Sequence, residues 1–138
     1  MDKALNYLAL ARKGGRAELG EEPVGAVGRT GKAYAILVAS DAGDHTWRRA
    51  KAFAAGTDQQ AIKLPYTKDE MGFAIGRQAL AIAAITDAPL ALALVQSLPE
   101  QEKYQEAVAA LTDKATKLKK RQQEAKAHQK NVRTGKKK

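Results

Sequence analysis

The chain contains no cysteine, which excludes a disulfide framework and a thiolate metal site and suits a reducing compartment. Aromatic residues make up only 5% of its 138 positions. A core therefore has to be assembled from Ala, Val, Leu and Ile, and platforms for stacking are scarce. Histidine occurs twice, at His45 in a polar loop and His128 in the C-terminal region. A lone loop imidazole is more often solvated than a general base. No His, Asp and Glu stand at metal-ligand spacing, and Asp41 with Asp44 suits loop and helix-cap chemistry better than a cation site. Without an assembled nucleophile, acid or base, the sequence argues against an enzyme and for no metal and no cofactor. The most apolar stretch, Leu80–Val95, is interrupted by Thr86, Asp87 and Pro89 and falls short of the ~20 residues that span a bilayer. Met1-Asp2-Lys3 opens into an amphipathic segment instead of a signal-peptide pattern. The expectation is a cytoplasmic protein with no membrane contact.

Positive charge is plentiful, and its location matters more than its amount. Residues 1–112 hold 13 basic and 13 acidic residues, whereas residues 113–138 hold 11 basic residues against Asp113 and Glu124, so the whole formal charge of +9 lies in the last segment. Lys117, Lys119, Lys120, Arg121, Lys126, Lys130, Arg133 and Lys136–Lys138 suit release of counterions from a phosphate backbone, which gives salt-dependent affinity without sequence preference. Past Leu118 the segment has no bulky apolar face for insertion into a lipid surface.

The length suits one domain. Asp2 is placed to cap a helix over Lys3–Lys13, ended by Gly14-Gly15, and a short extended piece from Arg16 to Leu19 leads to Gly20. Glu21-Glu22-Pro23 reads as a first helical turn, with the helix running to about Thr30. Ala35–Ala39 is a continuous apolar run of strand length, the kind covered on both faces. Asp44 is expected to cap a helix from about Thr46 to Ala55. Ala61–Leu64 reads as a strand, Thr67-Lys68-Asp69-Glu70 as a capping box, Leu80–Ile85 as a second fully apolar strand and Pro89–Gln96 as a short helix. This alternation predicts a layered α/β fold. Ser97-Leu98-Pro99-Glu100 matches the capping-box pattern again and predicts the start of a long helix there. Tyr104, Val108, Leu111, Ala115 and Leu118 form a stripe on it that suits either this domain or a partner helix. From Lys119 onward almost nothing apolar remains, which predicts frayed helix passing into a disordered basic arm. Gly28-Arg29-Thr30-Gly31-Lys32 superficially resembles a phosphate-binding loop, but Ala26 and Ala33 stand where that loop needs Gly and Ser or Thr, so nucleotide binding is rejected.

Several stretches occur in an order that resembles a known family. They are Leu8-Ala9-Leu10-Ala11-Arg12-Lys13-Gly14-Gly15-Arg16, Gly20-Glu21-Glu22-Pro23-Val24, Gly31-Lys32-Ala33, Ile36-Leu37-Val38-Ala39-Ser40-Asp41-Ala42, Glu70-Met71-Gly72-Phe73-Ala74-Ile75-Gly76 and Leu80–Asp87. Together they resemble the ribosomal protein L-seven-Ae superfamily of kink-turn RNA binders, in particular its small bacterial YlxQ-like branch, over about residues 3–97. The resemblance implies an α/β fold, a three-layer α/β/α sandwich around a four-stranded mixed sheet, here followed by a C-terminal basic helical tail. It also implies an RNA site at the start of the second helix and on the loop before the last strand, where irregular RNA exposes base edges. Gly20 keeps the family's turn, but Glu22, Pro23 and Ala26 stand where the family has its base-reading Asn, Glu and Lys. A carboxylate at Glu22 repels phosphate and cannot donate as an amide does. The expected RNA contacts are Arg12, Lys13, Arg16, Gly20, Glu21, Glu22, Lys32, Arg77, Gln78, Ala79, Lys119, Lys120 and Arg121. The expected organisation is a domain over 1–98, a helix over 99–118 and the basic tail over 119–138. The expected function is binding of structured RNA, a kink-turn or ribosomal RNA, in association with the ribosome. The alternative is a protein-interaction module on the same fold, with a partner docked on the 104–118 helix.

Overall fold

Two four-residue runs without a polar side chain, Ala35–Val38 and Ile82–Ile85, are buried at every position. Strands with no polar face need cover on both sides, and the rest of the chain supplies it. A computed structural model describes the backbone of residues 2–134 and the side chains of residues 2–126. Its elements are α1 (Lys3–Lys13), β1 (Ala17–Leu19), α2 (Glu21–Arg29), β2 (Ala35–Val38), α3 (Asp44–Ala54), β3 (Gln60–Lys63), α4 (Lys68–Ala74), β4 (Ile82–Ile85), α5 (Ala88–Gln96), a 3-10 turn (Gln101–Tyr104) and α6 (Gln105–Thr134). The sheet order is β1-β4-β2-β3. β4 lies antiparallel to both β1 and β2, and β3 runs parallel to β2, so the four-stranded sheet is mixed as expected.

Three of the four facing pairs on the two central strands set large against small, Ala35 with Ile85, Ile36 with Ala84 and Leu37 with Ala83, and the fourth is Val38 with Ile82. Successive strand residues point to opposite faces. Ala35, Leu37, Ala83 and Ile85 accordingly join the larger core with Leu8, Met71, Leu94 and Leu111, from α1, α4, α5 and α6. Ile36, Val38, Ile82 and Ala84 join the smaller core with Val24 and Ala50, from α2 and α3. The result is the three-layer α/β/α sandwich. Gln59 is a buried polar side chain that pins the entry to β3: its Nε2 donates to the carbonyls of Gly28 at 3.0 Å and Phe53 at 2.9 Å, and its Oε1 accepts from the Ala33 N–H at 3.0 Å.

Local signals mostly act as expected. Asp2 accepts from the Ala4 N–H, and Thr67 with Glu70 forms the capping box of α4. Two expectations are corrected. Asp44 does not cap α3, because Gly43 takes the N-cap position and Asp44 enters the first turn. Ser97 does not open a helix either. It closes α5, its hydroxyl donating to the Ala93 carbonyl at 2.7 Å, while Glu100 takes a left-handed conformation and the chain resumes in the 3-10 turn. Of the apolar stripe, Leu111 is buried in the larger core, with the half-buried Tyr104 and Val108 packed against that core. That packing leaves no partner surface at Leu111. The helical backbone continues past Leu118 to Thr134. The Lys136–Lys138 end of the expected basic arm lies outside the described residues, as do the side chains of Lys130 and Arg133.

Candidate nucleic-acid interface

Three of the expected contact residues sit where β1 hands over to α2. Gly20 has φ 95° and ψ 165°, a backbone conformation that only glycine adopts without strain. Its N–H donates to the Ile82 carbonyl at 3.0 Å, which fixes the start of α2 beside the start of β4. Glu21 is not free to meet a ligand: its carboxylate accepts from the Arg49 guanidinium at 3.3 Å and from the Thr46 hydroxyl at 3.4 Å. Glu22 is exposed. Two carboxylates in the first turn occupy the positive end of the helix dipole, and Pro23 lacks an N–H. This helix start therefore offers acceptors, not a phosphate cradle.

The loop Arg77–Ala79 arrives at the same end, immediately before β4, and all three residues are exposed. α4 holds it in place. The Arg77 N–H donates to the Gly72 carbonyl at 2.8 Å and the Leu80 N–H to the Lys68 carbonyl at 2.9 Å. A Cβ at Gly72 would lie 2.7 Å from both Cα and N of Ala79, so the loop backbone lies directly on a glycine. Gly20, Glu21, Glu22, Arg77, Gln78 and Ala79 are thus brought together.

Arg12, Lys13, Arg16, Lys32, Lys119, Lys120 and Arg121 belong to the opposite end of the sheet. The Arg16 carbonyl accepts from the Thr86 N–H at 2.9 Å, and the Tyr34 N–H donates to the Ile85 carbonyl at 2.9 Å, so these residues gather where β4 ends. The four residues of β4 separate the two ends by roughly 13 Å, at ~3.3 Å per residue. Arg12 and Lys13 lie in the last turn of α1. Arg16 pairs with Asp87 at 2.7 Å, and the second oxygen of Asp87 accepts from the Leu90 N–H to cap α5. Lys32 and Arg121 line one cleft with Tyr34, Asp58, Thr86 and Lys114. Arg16 and Lys119 line another with Asp87, Leu92, Ala115 and Leu118. α6 separates the two clefts, and its Lys119 and Lys120 are exposed.

Sequence reasoning missed Lys114 and Arg49. Lys114 meets Asp58 at 2.7 Å; their hydrogen bond holds the Asp58 carboxyl below its ordinary range and raises the Lys114 ammonium. Its spacing of seven from Arg121 placed both on one side of a helix, which was the available signal. Arg49 neutralises Glu21 across a helix pair, a pairing with no local signature. Phe73 carries no signal in the sequence beyond its place in a motif, yet it is the most exposed large apolar side chain described, at 77%. Among the described residues no group of three His, Asp or Glu is placed to hold a metal ion, and no helix is long and apolar enough to cross a membrane.

No family model and no curated protein matches the chain. Solved structures share its fold. One is a protein of unknown function from Bacillus halodurans, with TM-score 0.67 and 24% identity over 72% of this chain and 100% of that one. Another is a 15.5kD RNA binding protein from Giardia lamblia, with TM-score 0.57 and 15% identity over 72% of this chain and 84% of that one.

Proposed function

We propose that the protein binds structured RNA through the end of the sheet formed by Gly20, Glu22 and the Arg77–Ala79 loop, and carries out no reaction of its own. The observation that carries this is the Gly20 N–H bonded to the Ile82 carbonyl, three residues past the Arg77–Ala79 loop, which brings two segments almost sixty residues apart to one end of the sheet. They are the two segments that the resemblance to the kink-turn binders assigns to RNA, and the Giardia structure of similar fold is an RNA binding protein. The chemistry there suits base edges: the exposed Glu22 carboxylate accepts from exocyclic amino groups, and Arg77 donates to purine acceptors. A splayed, irregular element such as a kink-turn in ribosomal RNA presents those edges where a regular A-form groove hides them. On this reading the protein is ribosome-associated and belongs with the kink-turn binders, its YlxQ-like branch included.

The test is a titration of the full chain against a kink-turn RNA and a straight duplex of matched composition. A preference of tenfold or more for the kink-turn is expected, about 1.4 kcal/mol, and it should shrink in an Arg77→Ala, Gln78→Ala variant. Kink-turn affinity unchanged in that variant would overturn the assignment.

Phe73 favours a second reading, a protein-interaction role. It stands exposed beside Leu5 and Tyr66, rimmed by Asp2, Asp69 and Glu70. Such a rim repels phosphate and suits a basic protein segment with an apolar anchor. Loss of a co-purifying protein on Phe73→Ala, with RNA affinity unchanged, identifies that role.

A further inference from the structure

The end of the sheet opposite Gly20 has a chemistry of its own. Asp87 is matched there by Arg16 and Asp58 by Lys114, which leaves Glu124 of α6 as the one unpaired acid beside its cations among the described residues. Arg12, Lys13, Lys32, Lys119, Lys120 and Arg121 are exposed there and have no ion pair among the described residues. The excess is therefore positive, whereas at the Gly20 end Arg49 offsets Glu21 and the exposed Glu22 is balanced by Arg77. α6 extends this surface outward. Positions 119, 126, 130 and 133, all Lys or Arg, are spaced seven, four and three apart and fall along one line of the helix. That line continues the side of α6 on which Lys119 lines the Arg16 cleft, and it spans roughly 21 Å at ~1.5 Å per residue.

We infer that this basic end is a second RNA surface, distinct from the Gly20 end, which holds the sugar–phosphate backbone of a double helix without reading bases, so that one molecule bridges two RNA segments. The bridging rests on the RNA reading proposed above; the surface itself does not. Single-stranded RNA is held by stacking bases on aromatic rings, and the aromatic side chain in these clefts is the half-buried Tyr34. Duplex RNA offers regular phosphates and needs no such platform. A lipid surface would need a broad apolar face beside the cations, but Leu92 and Leu118 lie half-buried in the cleft, and Leu10 near the end of α1 is a single exposed leucine. The division also matches how protein–RNA recognition works in general: phosphate contacts position, and base contacts specify.

The test uses the full chain, an immobilised kink-turn RNA and a fluorescent straight RNA duplex in solution. Wild-type protein should retain the duplex on the kink-turn surface. A quadruple Lys119→Ala, Lys126→Ala, Lys130→Ala, Arg133→Ala variant should weaken duplex binding tenfold or more. It should also flatten the dependence of log affinity on log salt by about 0.9 for every phosphate that is no longer neutralised, with kink-turn affinity within twofold of wild type. Alanine preserves the helix, so this weakening is not one of folding. Arg77→Ala should do the reverse. Competition of the duplex with the kink-turn for a single site overturns the inference, as does equal weakening of both RNAs in the quadruple variant. Capture of phosphatidylserine vesicles in place of the duplex overturns it too. A duplex bound through the quadruple set without any kink-turn preference supports this surface and overturns the Gly20 assignment together with the bridging.

Discussion

Gly72 and Gly28 have no side chain for the same reason, a close neighbour, but the neighbours differ in kind. At Gly72 a Cβ meets the backbone of Ala79 at 2.7 Å, whereas at Gly28 it meets the Phe53 ring at 2.9 Å. A half-buried ring turns aside at modest cost; a loop backbone pinned by two hydrogen bonds does not. Gly72→Ala should therefore cost about 3 kcal/mol and lower Tm by roughly 10 °C in thermal unfolding, and Gly28→Ala about 1 kcal/mol. Because the Arg77–Ala79 loop rests on Gly72, the first variant should lose kink-turn preference as well. Tyr66 supplies a pH signature. Burial first, and then its hydrogen bond to Asp2 at 2.6 Å, raise its hydroxyl well above the ordinary tyrosine range. The folded state thus favours the neutral phenol. The stabilisation is complete below the unfolded tyrosine value of ~10 and declines as pH rises beyond it. Thermal melts from neutral to alkaline pH should show that decline, and Tyr66→Phe should remove part of it. The Asp2 cap and the turn at Gly20 were legible because each is decided within a few residues. The Tyr66 hydrogen bond and the close approach at Gly72 were not, since each depends on what the fold brings alongside.

At the scale of elements, apolar runs and caps located nearly every helix and strand, and the failures are informative. Thr67-Lys68-Asp69-Glu70 and Ser97-Leu98-Pro99-Glu100 fit one pattern, yet only the first is a capping box. Pro99 disfavours a helical Leu98, and α5, already running, takes Ser97 as its end. Gln101 then donates to the Val95 and Leu98 carbonyls at 2.8 and 2.7 Å, closing α5 from beyond its terminus. Thr67→Ala should accordingly cost about 1 kcal/mol, and Ser97→Ala less than about 0.5 kcal/mol, since its hydroxyl only bonds back to its own helix. Comparison of the two by chemical denaturation checks this. The course of α6 past Leu118 shows another limit. Missing apolar residues argue against packing, and residues 119–126 are exposed, but Lys, Arg, Gln, Glu and Ala are strong helix formers, and the helical backbone reaches Thr134.

At the scale of the whole molecule, the expected RNA-binding residues formed one set by chemistry and two by position. Arg16 and Gly20 are four residues apart in sequence, yet β1 carries the chain across the sheet between them. Charge and residue type raise the expectation of RNA contact, but only strand direction reveals which end holds which group. The fold was legible because both central strands announce themselves as apolar throughout; the partition of the site was not. α6 is one helix from Leu111 in the core to Thr134, and so the angular phase of its outer lysines is set by the packing of its inner leucine. A single alanine inserted after Gln123 should rotate the outer row by about 100° away from the Arg16 cleft and weaken duplex binding. Seven inserted alanines, about two full turns, should bring the row back to within roughly 20° and restore it. Duplex affinity plotted against insert length should then oscillate with the period of the helix, like a key that engages only at certain rotations.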